Sequence, residues 1–244
     1  PTSEPALPRV IHGFAFQPYQ KDQDAIAGED PTTAQIDADL KLLAGTTRAV
    51  RTYSSIGTLG EIPALARKHG LKVMLGSWID SDRDRNDREV EAAIRLANTN
   101  RNVTRILIGN EVVLRGDLPV EDLIAHLDRV RAATKQPVST AEPWHVWIKH
   151  PELVAHVDFI AVHMLPYWEG VEVEAAVGHV VAKFGELRST CPKKPIVIGE
   201  VGWPSEGRTR ESAVATTANE ALFLRRFLAY AEQQRLEYFV MEAF

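Results

Sequence analysis

The chain has 244 residues, 45% hydrophobic and 25% charged, with 28 Lys and Arg against 33 Asp and Glu and a formal net charge of -5. That length and composition suit one globular domain whose core needs neither disulfide nor metal staple, and the acidic balance argues against nucleic acid as the main partner, because phosphate binding requires a positive field. The single cysteine, Cys191, excludes an internal disulfide and reads as a buried or loop thiol rather than a nucleophile, and no apolar run approaches the roughly 20 residues of a membrane span.

In chain order, "PTSEPALPR" (1–9) is rich in Pro and polar groups and reads as an N-terminal arm or linker, followed by one domain over residues 10–244. No signal peptide is visible and the first residue is Pro1, so the sequence reads as a processed or excised piece. Short apolar and β-branched runs then alternate with amphipathic segments. "RVIHGFAF" is the first predicted strand, followed by a helix over "TTAQIDADLKLLAG". "AVRTYS" precedes a helix over "LGEIPALARKHG", with Gly45 and Gly70 at the helix ends. "KVMLGSWI" precedes "NDREVEAAIRLAN". "VTRILIGNEV" precedes the clearest helix, "LPVEDLIAHLDRVRAATK", where Val120, Leu123, Ile124, Leu127 and Val130 share one face. Pro119 suits its first turn and Asp117 its cap. Four more strands follow: "PVSTAEP", "VDFIAVHML", "KPIVIGEVGW" and "YFVMEAF". A last helix is expected over about Glu211–Gln234.

Eight strands at about 30 residues per unit read as a parallel sheet with crossover helices, and they close most naturally into a (β/α)₈ barrel. A doubly wound open sheet is the second reading; it wants a Gly-rich phosphate loop after the first strand, and "HGFAFQPYQ" has none. The sequence stops at Phe244, just after the eighth strand, so the segment that usually follows that strand in a barrel is not expected here.

Barrel chemistry sits at the C-terminal ends of the strands. Glu111 closes the fourth strand and Glu200 the seventh, each preceded by an apolar run and a Gly. Two carboxyl groups over one mouth suit glycosidic bond cleavage: one protonates the leaving oxygen, and the other attacks or activates water. For either residue alone, an ion pair with Arg115, Arg51 or Arg208 is a competing reading. Strict alternation would put Asn110 and Glu111 on opposite faces, so both reach the mouth only through a bulge, which Gly109 permits. All five tryptophans, Trp78, Trp144, Trp147, Trp168 and Trp203, fall at strand C-terminal ends or in the loops after them, with Tyr19, Tyr53 and Tyr167 on the same side. Aromatic faces around an open mouth suit the C–H faces of sugar rings.

The stretches "RTYS", "IGNEV", "PVSTAEPWHVW" and "IGEVGWPS" resemble glycoside hydrolase family 17, in its bacterial branch, over about Val10 to Phe244. The resemblance implies a β-1,3-glucan-active (β/α)₈ enzyme that retains configuration, with Glu111 as acid/base and Glu200 as nucleophile. It places Asn110 against the sugar 2-hydroxyl, with Arg51 and Tyr53 supporting the same subsite. Glu142, Trp144, Trp147, His163, Tyr167, Trp168 and Trp203 complete the substrate-binding candidates. Plant members carry a Tyr motif after strand six; here "VHMLPYW" offers His163 or Tyr167 instead. Glu242 in "VMEAF" is a further candidate for the mouth. By resemblance, transfer to a sugar hydroxyl is favoured over hydrolysis, and Trp144, Trp147 and Trp168 are the candidate acceptor platforms. The expected partners are β-1,3-gluco-oligosaccharides or β-glucan, in a periplasmic or otherwise extracytoplasmic setting and within a larger membrane-linked glycosyltransferase protein. No cofactor or metal is expected. A metal-dependent barrel hydrolase built on His12, His145, His163 and Glu142 is the alternative from another class, without an HxH pair or an HExxH helix behind it. A β-glucan-binding barrel without catalysis is the third reading.

Overall fold

The computed structural model describes residues 4–23 and 27–243; the first three residues of the expected arm, and Phe244 at the end of the expected domain, lie outside the described residues. Eight parallel strands close in chain order: β1 (Ile11–Ala15), β2 (Thr47–Arg51), β3 (Lys72–Ser77), β4 (Val103–Asn110), β5 (Val138–Pro143), β6 (Ile160–Met164), β7 (Ile196–Val201) and β8 (Tyr238–Val240). Val240 pairs with Phe14, so β8 closes on β1 and the open-sheet reading falls away. The helices are α1 (Thr33–Leu43), α2 (Ile62–Lys68), α3 (Arg83–Thr99), α4 (Val112–Arg115), α5 (Val120–Ala133), α6 (Trp144–Lys149), α7 (Pro151–Ala155), α8 (Val173–Thr190) and α9 (Thr217–Gln234).

Sequence explains most of these elements. Thr32 and Gln35 form a capping box at α1, whose buried residues Ile36, Leu40 and Leu43 recur at helical spacing. In α5 the buried stripe is Leu123, Leu127 and Val130, as its pattern implies. Its start differs from expectation. Pro119 stands at the cap position and no side chain caps the helix, because Asp117 is held by the Arg115 Nε at 2.7 Å. Helix α9 begins at Thr217, capped by the Thr216 hydroxyl, later than the expected Glu211. Helix α8 carries Gly178 and Gly185, each of which weakens helix propensity by about 1 kcal/mol; its buried stripe of Ala176, Val180, Phe184 and Leu187 holds it nonetheless.

Two apolar clusters hold the barrel. The larger lies between strands and helices; the smaller, inside the barrel, consists of Ala49, Met74, Leu107, Ala141, Phe159, Ala161, Val197 and Phe239. The Phe239 ring lies where β1 has Gly13, and a Cβ there would meet it at 2.4 Å. Side chains two residues further along a strand share its face. Arg51 therefore rises above Ala49 and His163 above Ala161, so the apolar floor of the barrel carries a polar layer.

The loop after β2 is fixed from outside the barrel. Glu89 of α3 is fully buried and accepts the Ser54 hydroxyl at 2.5 Å and the Ser55 N–H at 2.7 Å. Burial raises its carboxyl to about 7, against the lowering effect of those two bonds and of Arg85. A raised folded-state value means that the folded chain holds this proton where the unfolded chain has lost it. The stability so gained is fully present below about pH 4.5 and lost as the pH rises to about 7, and a shift of that size is worth about 3 kcal/mol. Thermal melts should therefore move down by roughly 6–12 °C between pH 5 and pH 8. The slope should be visibly shallower in Glu89→Gln, and an unchanged slope in that variant would remove Glu89 as its source.

Candidate active site

Both glutamates reach the mouth through an irregularity beside a glycine. Between Leu107–Ser139 and Asn110–Ala141, β4 uses one more residue than β5. Gly109 there has φ +88°, and a Cβ on it would stand 2.5 Å from Val112 Cγ2. Glu111 comes next with φ 55° and ψ 33°, its N–H donating to Ala141 O at 2.7 Å. Similarly, β7 uses one more residue than β6 between Val162–Ile198 and His163–Glu200. An extra residue re-aims the side chain after it. Alternation in β7 would send Glu200 to the face opposite Val197 and Gly199; the irregularity returns it to the barrel axis.

Around Glu200 the polar layer is dense. Glu200 is 5% exposed; its Oε1 accepts Arg51 NH1 at 2.6 Å and the Tyr53 hydroxyl at 2.7 Å. Burial alone would raise this carboxyl. The His163 imidazole, the Arg51 guanidinium and the hydrogen bonds from Tyr53 and Arg51 outweigh it and hold the group below the ordinary carboxylate range. The Tyr53 hydroxyl is pushed well up by burial and so remains a donor. Arg51 is itself buried. Besides Glu200 it donates to Gly199 O at 3.2 Å, to Tyr53 Oη at 3.2 Å and, through NH2, to Asn110 Oδ1 at 2.5 Å. That last bond takes the Asn110 oxygen and identifies its Nδ2 as the donor end of the amide.

His163 joins the two carboxylates. Its Nε2 lies 3.3 Å from Arg51 NH1 and its Nδ1 2.7 Å from Glu111 Oε1, with Glu200 Oε2 at 3.6 Å. A guanidinium only donates, so in the neutral ring Nε2 is the acceptor and the proton sits on Nδ1, aimed at Glu111; a protonated ring keeps that Nδ1–H and carries the charge that lowers Glu200. Glu111, His163 and Glu200 present donor atoms within 4.8 Å of one another, a spacing that also suits a metal ion. The Nδ1 lone pair is occupied by a proton, however, and the neighbouring cation is Arg51. The donor chemistry is that of a hydrogen-bonded acid pair. His12, from the metal-dependent reading, lies at the other end of the barrel beside Glu237 and does not join His163.

The remaining candidates separate. Glu142 is fully buried and its oxygens accept the N–H groups of Val113 at 2.8 Å and Leu114 at 3.3 Å, so it offers nothing to a sugar. Trp147 is fully buried, with its indole N–H on Ala161 O at 2.9 Å; it packs behind β6 and is not at the mouth. Trp203 is likewise buried, bonded to Val214 O at 3.0 Å and edge-on to Tyr167. The Tyr167 hydroxyl is held by Arg208 O, so His163, not Tyr167, stands beside the glutamates. Trp168 is 55% exposed, with Arg210 stacked on one face at 4.0 Å. Trp144 is half-buried, its N–H on Glu169 and Lys183 over its ring at 3.9 Å. Trp78 carries Arg115 on its ring at 4.7 Å, and no ion pair joins Arg115 to Glu111. Glu242 lies exposed after β8; partial burial, then the charge of Glu200, raise its carboxyl. Sequence reasoning passes over Glu89, although it shares a helical face with Asn86, Val90, Ala93 and Ala97, an acid on an apolar stripe.

Carboxylates this close have the spacing of retaining pairs, in which no water fits between the two groups and one carboxylate attacks carbon directly. The chain is 29% identical over 227 residues to a glucan 1,3-beta-glucosidase of Schizosaccharomyces pombe, covering 85% of this chain and 70% of that protein. It is 25% identical to a probable glucan endo-1,3-beta-glucosidase, btgC, of Aspergillus flavus, covering 99% of this chain but 39% of the relative. A structure of an active-site mutant of Rhizomucor miehei beta-1,3-glucanosyltransferase in complex with laminaritriose superimposes with a TM-score of 0.84 at 27% identity, covering 95% of this chain and 86% of that one. The BtgE/BtgC glycoside hydrolase domain matches residues 13–244. With nearly its whole length inside that match, this chain belongs to the BtgE/BtgC glycoside hydrolase domain, within glycoside hydrolase family 17.

Proposed function

We propose that the domain acts on β-1,3-glucan by double displacement, with Glu200 as nucleophile and Glu111 as acid/base. One observation carries this: oxygens of the two carboxylates lie within 4.8 Å across one mouth, linked by a single imidazole. A Glu200 oxygen bonds to the anomeric carbon as the glycosidic C–O bond breaks, and the Glu111 proton goes to the leaving oxygen. An incoming hydroxyl then bonds to that carbon, its proton passes to Glu111, and Glu200 is released. The Asn110 Nδ2 is oriented to donate to a sugar hydroxyl beside the reacting carbon.

The second half-reaction favours a sugar hydroxyl over water. Trp168 and Trp144, at the rim after β6 and β5, are the platforms that support this reading; Trp147 does not contribute. Similarity to a beta-1,3-glucanosyltransferase at 27% identity supports it too. Assignment to the bacterial branch rests on motif spelling, "IGNEV" and "PVSTAEPWHVW"; the fungal relatives do not bear on it. The extracytoplasmic setting and membrane-linked parent protein rest on the same resemblance. Among the described residues no helix is long and apolar enough to cross a membrane, so a membrane link would belong to another part of such a protein. Incubation with laminari-oligosaccharides, with product masses as the readout, tests the reading. Products longer than the substrate are expected. Shorter products alone would replace transfer with hydrolysis, and binding without any change in chain length would leave a binding barrel.

A further inference from the structure

We propose that Glu142, one layer behind the reacting groups, is the positioning residue that holds Glu111 in its working direction; this rests on the acid/base role of Glu111. Three successive residues of β5 grip the segment around Glu111. The Thr140 hydroxyl donates to Gly109 O at 3.3 Å, Ala141 O accepts the Glu111 N–H at 2.7 Å, and Glu142 accepts from Val113 and Leu114. The first two hold the strand end and the Glu111 amide. Among the described residues, Glu142 is the β5 side chain hydrogen-bonded to the next element, the single turn α4.

The turn needs such an anchor. Glu111 has no side-chain cap bond to α4 and stands in the left-handed region, which a residue with a Cβ occupies at a cost of about 1 kcal/mol or more. Four residues are too few to hold a helix by their own hydrogen bonds. Two charge-assisted bonds from Glu142 to the first free N–H groups of the turn supply the restraint, while Arg115 holds the other side by donating to Asn110 O and, at 3.2 Å, to Ile79 O. A carboxylate with no solvent contact is an expensive anchor, since burial raises it to about 7 despite both amide bonds, with the Glu111 charge acting in the same direction. An amide side chain would bury more cheaply but could accept from only one end. Acceptance from two adjacent amides fixes the direction of the turn, and with it where the Glu111 carboxyl points relative to His163 Nδ1.

If Glu142 acts through Glu111, its loss is felt in the first half-reaction, which kcat/KM reports, only where a leaving group needs a proton. Steady-state kinetics of Glu142→Gln and Glu142→Ala on laminaritetraose and on 2,4-dinitrophenyl β-laminaribioside distinguish this, with melting curves to confirm folding. For the oligosaccharide, kcat/KM should fall about 30-fold or more in Ala and less in Gln, with KM within about threefold. For the dinitrophenyl substrate, whose leaving group needs no protonation, kcat/KM should fall by less than about threefold. Equal losses on both substrates, a rise in KM with kcat intact, or no loss in either variant would overturn the proposal. Glu111→Ala is the control. If it lacks the leaving-group dependence, the acid/base assignment itself fails; if it shows the dependence and the Glu142 variants do not, only the present inference fails. If Ala does not fold, Gln decides by the same comparison.

Discussion

Glu200→Gln is expected to reduce turnover of laminari-oligosaccharides by about 10⁴-fold or more while keeping their binding within a few-fold of wild type. The exchange is nearly isosteric. The amide oxygen can still accept from Arg51 and Tyr53, which bond Oε1 at 2.6 and 2.7 Å, so the mouth should keep its shape. What is lost is the negative oxygen that the proposed double displacement uses to attack the anomeric carbon, and an amide does not replace it. The variant also leaves Arg51 as a buried cation without its anion, so the melting temperature should fall as well. Mass spectrometry gives the direct check. Wild type treated with a 2-deoxy-2-fluoro laminaribiosyl donor bearing a dinitrophenolate should release the phenolate and gain one 2-deoxy-2-fluoro-laminaribiosyl group on the peptide containing Glu200, and the variant should gain none. A variant within tenfold of wild type, or an adduct on another residue, would remove Glu200 from this role.

Much of this site is legible before any coordinates. Alternation of short β-branched runs with amphipathic segments specifies the barrel, because each run is long enough for a strand and too short for a helix. Glycine and then a polar residue at the end of two such runs mark both catalytic candidates, and the need for a bulge at Gly109 comes from strand periodicity alone. The aromatics are less legible. Position at a strand end places a side chain near the mouth without giving its direction, so Trp147 and Trp203 satisfy the pattern yet turn into the helix layer, where their indole N–H groups find backbone carbonyls. Glu142 shows the same limit for a charged group. Thr140 and Glu142 alternate with Ala141, which faces the barrel interior, so Glu142 points outward beneath α4 and not into the cleft. His163 is visible in the sequence as a departure from a tyrosine motif and as a candidate metal ligand, neither of which gives its place between the glutamates. Its role depends on a tautomer set by Arg51, a residue 112 positions away.

Arg51→Met should be the most damaging change outside the two glutamates. Arg51 is 1% exposed and serves Glu200, Asn110, Tyr53, Gly199 and the Nε2 of His163 at once. Removing one partner of a buried ion pair costs about 3–5 kcal/mol, because the other charge stays buried. Function should suffer through a separate route. Burial already works to raise Glu200, and Arg51 is among the groups that outweigh it. Without the guanidinium the carboxyl rises, a smaller fraction is ionised at a given pH, and the acid limb of the kcat/KM profile moves to higher pH. At neutral pH the loss should be about 10³-fold, partly regained on the alkaline side as Glu200 ionises again. His163 loses the donor that fixed its proton on Nδ1, so Glu111 loses a defined neighbour in the same step. Arg51→Lys separates the two effects. An ammonium keeps a charge near Glu200 but cannot span Asn110, His163 and Glu200 together. It should hold the acid limb near its wild-type position while still lowering kcat. Measured pH profiles decide: an acid limb that stays in place in Arg51→Met would mean that Glu200 is kept ionised by something other than Arg51.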